Sequence, residues 1–180
     1  MVFKNIAISG RIAVGSSSLA KALSLRLKWQ LRDASQIFRD ISMHSGFDLE
    51  KDPQKYGVEI DLAVDTETRD ILMTKQVVVV SKLAGFLSRD IGNSLRILVS
   101  CPIEERVNRY AKDRGYSIIK SSQLIESREK SDQEKWEKLY GKHDFFDSKI
   151  FHLVIDSGKL NVEEEIDLVL RHLNLTQNLC

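Results

Sequence analysis

Residues 4–23, KNIAISGRIAVGSSSLAKAL, decide the fold of this chain. The apolar run Val2–Ile8 ends at a Ser-Gly pair, as is typical of a buried strand that stops in a turn. Beyond Gly15, leucines recur every four residues through Ser16–Lys28, which is the spacing of one face of a helix. The stretch therefore predicts a strand, a loop bounded by glycines and a helix.

The loop carries two glycines at the spacing of the phosphate-binding pattern G-x-x-x-x-G-K-[ST]. Gly10 and Gly15 fill the glycine positions, and Ser17 fills the hydroxyl position that ligates Mg²⁺. In such loops, backbone N–H groups and the N-terminus of the following helix hold phosphate oxygens. The residues that we predict to bind phosphate are Gly10, Arg11, Ile12, Ala13, Val14, Gly15, Ser16, Ser17 and Ser18.

One position of the loop departs from this pattern. Ser16 stands where the pattern has lysine, so the loop lacks the ammonium group that reaches the β- and γ-phosphates. Arg11 within the loop and Lys21, one helical turn beyond Ser17, are candidates for a replacement cation. The alternative interpretation of the loop is a strand-to-helix turn whose serines cap the helix and hold no ligand.

The rest of the chain alternates between strand-like and helix-like segments. The predicted strands are Gln76–Val80, with four consecutive valines, Leu95–Cys101 and Phe151–Asp156. The predicted helices are Ser35–Met43, a short or broken helix in Phe47–Tyr56, Ile60–Thr74, Ile103–Arg114, Ser121–Tyr140 and Asn161–Leu173 with Asn161 as its N-cap. Such alternation favours a parallel sheet covered on both faces, with right-handed crossovers.

Composition restricts the classes of protein to consider. The chain has 180 residues, 42% of them hydrophobic and 29% charged, which is ordinary for one globular domain spanning residues 1–180. The net charge of +1 gives no argument for a nucleic-acid or membrane partner. Cys101 and Cys180 form no disulfide framework or metal-ligand spacing, and no apolar run approaches membrane-spanning length. We expect a cytoplasmic monomer.

Four further stretches resemble the cytidylate kinase-like family of P-loop nucleoside monophosphate kinases in order and spacing. They are RDASQIFRDIS (32–42), VVVVSKLAGFLSRD (77–90), ESREKSDQEKWEKLYGKHDFFD (126–147) and FHLVIDSGKLNVEEEIDLVL (151–170). The resemblance implies a three-layer α/β/α P-loop NTPase fold, with five parallel strands in the order 2-3-1-4-5 and a helical lid at about 115–141. It also implies ATP and Mg²⁺ as cofactors, and transfer of the γ-phosphoryl group to CMP or dCMP.

The resemblance also assigns residues to the acceptor side. Asp33 and Arg39 match the segment that binds the substrate monophosphate, and Lys82 stands at the arginine of a Gly-Arg pair after the third strand. We therefore expect Arg39 and Lys82 to bind the acceptor phosphate, and Asp33 to orient the acceptor or the waters of Mg²⁺. From the residues alone, Asp33 is equally a cap for the next helix, and Lys82 an exposed strand end.

Three residues of the helix at 121–140 match the lid. Arg128 is expected to close over the transferring group, and Lys135 replaces a second arginine of the family. Asp132, four residues beyond Arg128, is expected to orient that arginine. The alternative is an ordinary helix face carrying ion pairs.

Three hypotheses for the function remain. The first is an ATP-dependent monophosphate kinase that is slow because Ser16 lacks a charge, since losing one preorganised group costs about 3–4 kcal/mol. The second is a catalytically impaired relative that binds a nucleotide or partner as a regulatory or scaffold module. The third is a P-loop kinase for a different acceptor. Retained lid residues favour the first hypothesis, and the missing lysine favours the second.

Overall fold

The computed structural model describes residues 3–44 and 58–177. The strands are Asn5–Gly10 (β1), Gln30–Asp33 (β2), Val77–Val80 (β3), Ser94–Ser100 (β4) and Leu153–Asp156 (β5). The helices are Ser16–Leu27 (α1), Ala34–His44 (α2), Val58–Leu72 (α3), Ala84–Leu87 (α4), Ile103–Arg114 (α5), Ile118–Tyr140 (α6) and Val162–Gln177 (α7). A short 3-10 helix, Ser148–Ile150, precedes β5.

The five strands form one parallel sheet in the order β2-β3-β1-β4-β5, which confirms the predicted topology. In the centre, β1 pairs with β3 through Ile8 and Val80, and with β4 through Gly10 and Val99. The strand order therefore reverses at β1, and the loop that follows β1 opens between its two neighbours. Parallel α/β sheets bind ligands at this kind of crevice.

Helices cover both faces of the sheet. On one face, Leu19 and Leu23 of α1 and Val169 of α7 pack on the central strands in a buried cluster. On the other face, Leu72 of α3 and Ala84 of α4 pack on buried residues of β1 and β3. This three-layer arrangement buries all four residues of β3, because a helix covers each side of the strand.

The structure adjusts several predicted boundaries. The last strand begins at Leu153 instead of Phe151, whose ring packs so closely on Gly85 that a Cβ there would lie 2.1 Å from it. The long helix begins at Ile118 because Ser117 caps it and accepts a hydrogen bond from the Lys120 amide. The predicted helix in Phe47–Tyr56 lies outside the described residues.

The last helix carries the capping interaction that the sequence predicted. The Glu164 amide donates to Asn161 Oδ1 at 3.1 Å, and the Asn161 amide donates to the Glu164 carboxylate at 2.8 Å. This reciprocal pair is a capping box, so Asn161 is confirmed as the N-cap of α7. Within the described ranges, no helix combines the length and apolar character needed to cross a bilayer.

A half-buried histidine beside the sheet makes the stability of the protein depend on pH. The Arg96 amide donates to His152 Nδ1 at 3.1 Å, and the Phe3 ring lies 4.8 Å from the imidazole. Burial, helped by the charges of Arg96 and His172, lowers the pKa of His152 from 6.5 to about 4. The folded protein therefore favours the neutral ring, whereas the unfolded chain binds a proton near pH 6.5.

Stability should consequently be complete above pH 6.5 and decline as the pH falls towards 4. Because the ring keeps some contact with water, we expect a loss of at most about 1–2 kcal/mol. Urea unfolding at pH 7.5 and pH 5 measures this loss. The variant His152→Gln should lose less stability between the two pH values than the wild type does. Equal losses would mean that protonation of His152 does not cause the pH dependence.

Candidate active site

A cleft of about 650 Å³ opens where the loop after β1 meets α2, α3, the end of β3 and α6. It brings together most of the residues that the sequence predicted for the site. These are Gly10, Arg11, Ile12, Ala13, Ser16, Ser17, Asp33, Arg39, Lys82, Arg128, Asp132 and Lys135. Val14, Gly15 and Ser18 belong to the same loop and helix start but lie outside the described wall of the cleft.

The backbone of the loop has the shape of an anion cradle. Gly10 needs the absence of a side chain, because a Cβ would lie 2.5 Å from Val14 Cγ2. Gly15 has a φ of 92°, in the left-handed region that favours glycine, and Ala13 shares that region with a φ of 61°. These turns aim the N-terminus of α1, with its free N–H groups, at the cleft.

The serines after the loop do not cap the helix. The N-cap of α1 is Gly15, which makes no side-chain capping bond, and the first helical turn contains no acidic residue. Ser16, Ser17 and Ser18 are the first residues of the helix itself. The positive end of the helix dipole is therefore left uncompensated by side chains of the first turn, as in sites that bind anions.

The two candidates for a replacement cation differ in position. Arg11 borders the cleft, but its guanidinium lies 4.6 Å from the centre of the Phe146 ring and 3.4 Å from the Glu129 carboxylate. Lys21 is exposed on α1 and lies outside the described wall of the cleft. Neither residue therefore replaces the positive charge that the missing lysine would bring to position 16.

A buried ion pair that the sequence reading missed fastens the loop to α5 and α6. Glu129 Oε1 accepts hydrogen bonds from the Ile12 amide at 3.3 Å and from Arg106 Nη1 at 2.5 Å. The same Arg106 nitrogen donates to the Ile12 carbonyl at 3.1 Å, and Arg106 is only 6% exposed. One sequence signal was available, since Arg106 lies beside Val107 on the apolar stripe of α5, where a charged residue needs a partner.

A second ion pair crosses the cleft from β3 to α6. Lys82 Nζ, just beyond the end of β3, donates to the Asp132 carboxylate. The partner of Asp132 is therefore Lys82, not Arg128 as predicted. Arg128 is exposed, and within the described ranges it makes no hydrogen bond or ion pair, so its guanidinium is free to meet a ligand.

The predicted acceptor residues stand on the opposite wall. Asp33 Oδ1 accepts a hydrogen bond from the Ser35 amide at 2.8 Å, so this residue does cap α2, while it also borders the cleft. Arg39, one turn further along α2, is exposed and donates to Gln36 Oε1 at 2.7 Å. An exposed arginine with one neutral partner can rotate towards a phosphate at low cost.

Two carboxylates of α3, absent from the sequence prediction, line the far end of the cleft. Asp61 pairs with Lys135 at 3.0 Å, and Asp65 accepts a hydrogen bond from the Tyr140 hydroxyl at 2.6 Å. Burial raises the pKa of Asp65 to about 6, although the Tyr140 hydrogen bond opposes this shift. Burial and the same hydrogen bond raise the pKa of Tyr140, so the phenol stays protonated and donates. The cleft is thus basic near the loop and acidic at its far end.

The donor set of the cleft fits one kind of metal site. In residues 3–44 and 58–177, no group of three or more His, Cys, Asp or Glu side chains is placed to hold a metal ion. The hydroxyl of Ser17 borders the cleft at the start of α1. A hydroxyl there fits a Mg²⁺ ion whose other ligands are substrate phosphate oxygens and water.

Among the solved structures that share this fold are two that are named as kinases. Shikimate kinase from Acinetobacter baumannii superposes with a TM-score of 0.63 at 15% identity, covering 99% of this chain and 96% of that one. A gluconokinase from Sinorhizobium meliloti gives a TM-score of 0.60 at 14% identity, covering 98% and 95%. Together with the loop and cleft, this likeness defines the fold as that of a P-loop kinase.

Sequence comparison narrows the class to a family. The family model described as the cytidylate kinase-like family matches residues 5–159. A cytidylate kinase of Aeropyrum pernix is 34% identical over 170 residues, covering 91% of this chain and 95% of that protein. One of Methanosarcina acetivorans is 31% identical over 174 residues, covering 91% and 93%. The chain belongs to the cytidylate kinase-like family.

Proposed function

We propose that this protein transfers the γ-phosphoryl group of ATP to a nucleoside monophosphate, with CMP or dCMP as the preferred acceptor. The observation that carries the proposal is the shared cleft. In it, the N–H cradle after β1 faces basic side chains of α2, β3 and α6 across a space of about 650 Å³. Phosphoryl transfer depends mainly on positioning two phosphates and on neutralising their spreading charge, and this arrangement supplies both.

On the donor side, the loop amides other than that of Ile12, which donates to Glu129, and the N-terminus of α1 hold the β- and γ-phosphates. Ser17 is the residue that would ligate Mg²⁺, and the bound ion would supply positive charge that offsets part of the charge of the phosphates. The loop keeps its position because Arg106 holds the Ile12 carbonyl and Glu129 holds the Ile12 amide.

On the acceptor side, Arg39 and Lys82 hold the monophosphate, for which a planar guanidinium is well suited. An oxygen of that phosphate attacks the γ-phosphorus as the bond from this phosphorus to the β–γ bridging oxygen breaks. The products are ADP and a nucleoside diphosphate. No side chain needs to take a proton from the attacking oxygen when the acceptor phosphate is ionised.

We propose that α6, within residues 115–141, acts as a lid. Arg128, Asp132 and Lys135 follow one another at i, i+4 and i+7 and so face the cleft together. Arg128 is the residue that we expect to stabilise the transferring group, because it alone of the three has no partner within the described ranges. Closure of α6 also keeps water away from the γ-phosphate.

The acidic end of the cleft supports a nucleobase in preference to a carboxylated acceptor. The carboxylates of Asp61 and Asp65 can accept a hydrogen bond from an N–H donor and repel other carboxylates, and Phe38 adds an aromatic side chain to the cleft wall. Cytosine presents an exocyclic amino group that a carboxylate can accept from. Acceptors such as shikimate or gluconate would bring a like charge to the same place.

A turnover assay over a panel of acceptors tests the proposal. Purified protein with ATP and Mg²⁺ is given CMP, dCMP, UMP, AMP, GMP, shikimate or gluconate, and ADP formation is measured. We expect turnover with CMP and dCMP, with CDP or dCDP as the product. Turnover confined to shikimate or gluconate, or no turnover with any monophosphate, would contradict it.

The second candidate is a nucleotide-binding relative with little or no transfer activity and a regulatory or scaffold role. Ser16 favours this candidate, because it removes a charge next to the β- and γ-phosphates. Calorimetry distinguishes the two candidates. Nucleotide binding without turnover supports the second candidate, whereas binding with turnover supports the kinase.

A further inference from the structure

A phosphate-binding loop without lysine needs a positive charge from another part of the chain. At Ser16 the side chain offers a hydroxyl, which can donate a hydrogen bond but brings no charge to the leaving β-phosphate. In the described part of the chain, the basic side chains that border the cleft are Arg11, Arg39, Lys82, Arg128 and Lys135. The question is which of them stands beside the donor phosphates.

Four of these five side chains are engaged elsewhere, lie further from β1 or have another proposed role. Arg11 lies against Glu129 and the Phe146 ring. Arg39 stands on α2, which follows the edge strand β2 and is separated from β1 by β3. Arg128 of α6 is the residue proposed for the transferring group, and Lys135 of the same helix is paired with Asp61 at the acidic end.

Lys82 stands directly beside the loop. The Ser81 amide donates to the Ile8 carbonyl at 3.1 Å, which continues the pairing of β3 with β1. The Gly85 amide then donates to Ser9 Oγ at 2.9 Å, so the turn after β3 follows the end of β1. The backbone of Lys82 is thereby fixed next to the first residues of the loop.

The side chain of Lys82 is also held ready within the cleft. Its ammonium pairs with Asp132, and its side chain is 32% exposed. The charge therefore lies in a partly desolvated position, where it acts more strongly on a phosphate than a fully exposed lysine would. Asp132 keeps the flexible lysine side chain oriented before a ligand arrives.

We propose that Lys82 supplies the ammonium group that Ser16 lacks, an inference that rests on the proposed function. Lys82 lies in the turn after β3 instead of in the loop, and its Nζ contacts the β- and γ-phosphates of the nucleoside triphosphate, in addition to its role towards the acceptor phosphate. As the bond between the γ-phosphorus and the bridging oxygen breaks, negative charge accumulates on the β-phosphate. Lys82 neutralises that charge by a hydrogen bond and transfers no proton.

Exchanging the two positions tests this inference. Lys82→Met, Ser16→Lys and the double variant are compared with the wild type. Lys82→Met should lower kcat by about 10²–10³ and should weaken ATP-analogue binding by at least about tenfold in the absence of acceptor. In the double variant, the lysine restored at position 16 should recover at least about tenfold in both measurements. Lys82→Arg, which keeps the charge, should stay within about tenfold of the wild type.

Lys21→Ala is the matched control, because it removes an exposed lysine of α1 that does not border the cleft. Its kcat and analogue affinity should equal those of the wild type. The inference is overturned if Lys82→Met raises only the KM of the acceptor, if the double variant remains as impaired as Lys82→Met, or if Lys21→Ala shows the larger loss.

Two further comparisons keep the test decisive. Lys82→Met leaves Asp132 without a partner and could unfold for that reason. In that case, Lys82→Met/Asp132→Asn is compared with Asp132→Asn. We expect the first of these to bind the ATP analogue at least about tenfold more weakly than the second. If the wild type turns over no acceptor, the proposed function fails. The affinity for the ATP analogue, measured by calorimetry for Lys82→Met and for Lys82→Met/Ser16→Lys, still decides the role of Lys82.

Discussion

Replacing Arg128 with methionine is expected to lower kcat by about 10²–10³ while leaving the free energy of unfolding nearly unchanged. Arg128 borders the cleft, is exposed and has no partner in the described ranges, so its removal breaks no contact of the folded protein. In the proposed mechanism, its guanidinium acts only when the transferring group carries its extra charge, so kcat should fall more than KM rises. Steady-state kinetics with ATP and CMP, together with urea unfolding, measure both quantities.

The matched control for this prediction is Arg114→Met. Arg114 lies at the end of α5, is exposed, pairs with its neighbour Asp113 and lies 6.0 Å from the centre of the Tyr110 ring. It does not border the described cleft, so its loss should change neither kcat nor stability by a measurable amount. Equal kcat values for Arg128→Met and Arg114→Met would mean that the lid role of Arg128 is wrong. A large loss of stability in Arg128→Met would show that the arginine is structural.

The central fold was predictable because it depends on buried apolar runs. Four consecutive valines mark the strand β3, and similar runs mark β1 and β4, since strands covered on both faces contain almost only apolar residues. The edge strand β5 is only partly buried, but its run 153–155 is still apolar. The edge strand Gln30–Asp33 gave no such signal. Its residues are mostly exposed, and hydrogen bonds to β3 hold it on one side only. The single-turn helix α4 was also missed, because its four residues are too few to show a period.

The parts of the candidate site that could be predicted are those whose sequence pattern lies within one short segment. The spacing of Gly10 and Gly15 lies within one loop, so the cradle could be assigned from the sequence. The partner of a charged residue is different, because it depends on how distant elements pack. Lys82 and Asp132 lie 50 positions apart. They meet because Trp136 of α6 packs with Leu83 and Phe86, which follow β3. A helical pattern shows which residues share a face, but it does not show what that face meets.

Replacing Glu129 with alanine is expected to lower the free energy of unfolding by about 3 kcal/mol. The change leaves the buried Arg106 guanidinium without its counter-charge and the Ile12 amide without its acceptor. Since the Glu129 side chain is 19% exposed, water can replace part of the lost interaction, which places the estimate at the lower end for buried pairs. Urea unfolding at pH 7.5 measures the change.

A double-mutant cycle separates the ion pair from simple loss of packing. Arg106→Met removes the other charge and retains an apolar side chain, so the variant Arg106→Met/Glu129→Ala contains no uncompensated buried charge. Its free energy of unfolding should fall by less than the sum of the two single losses, with a coupling of at least about 1 kcal/mol. Additive losses would mean that the two side chains stabilise the protein independently. In that case the contact of Glu129 with the loop would not depend on Arg106, and each residue would hold Ile12 by itself.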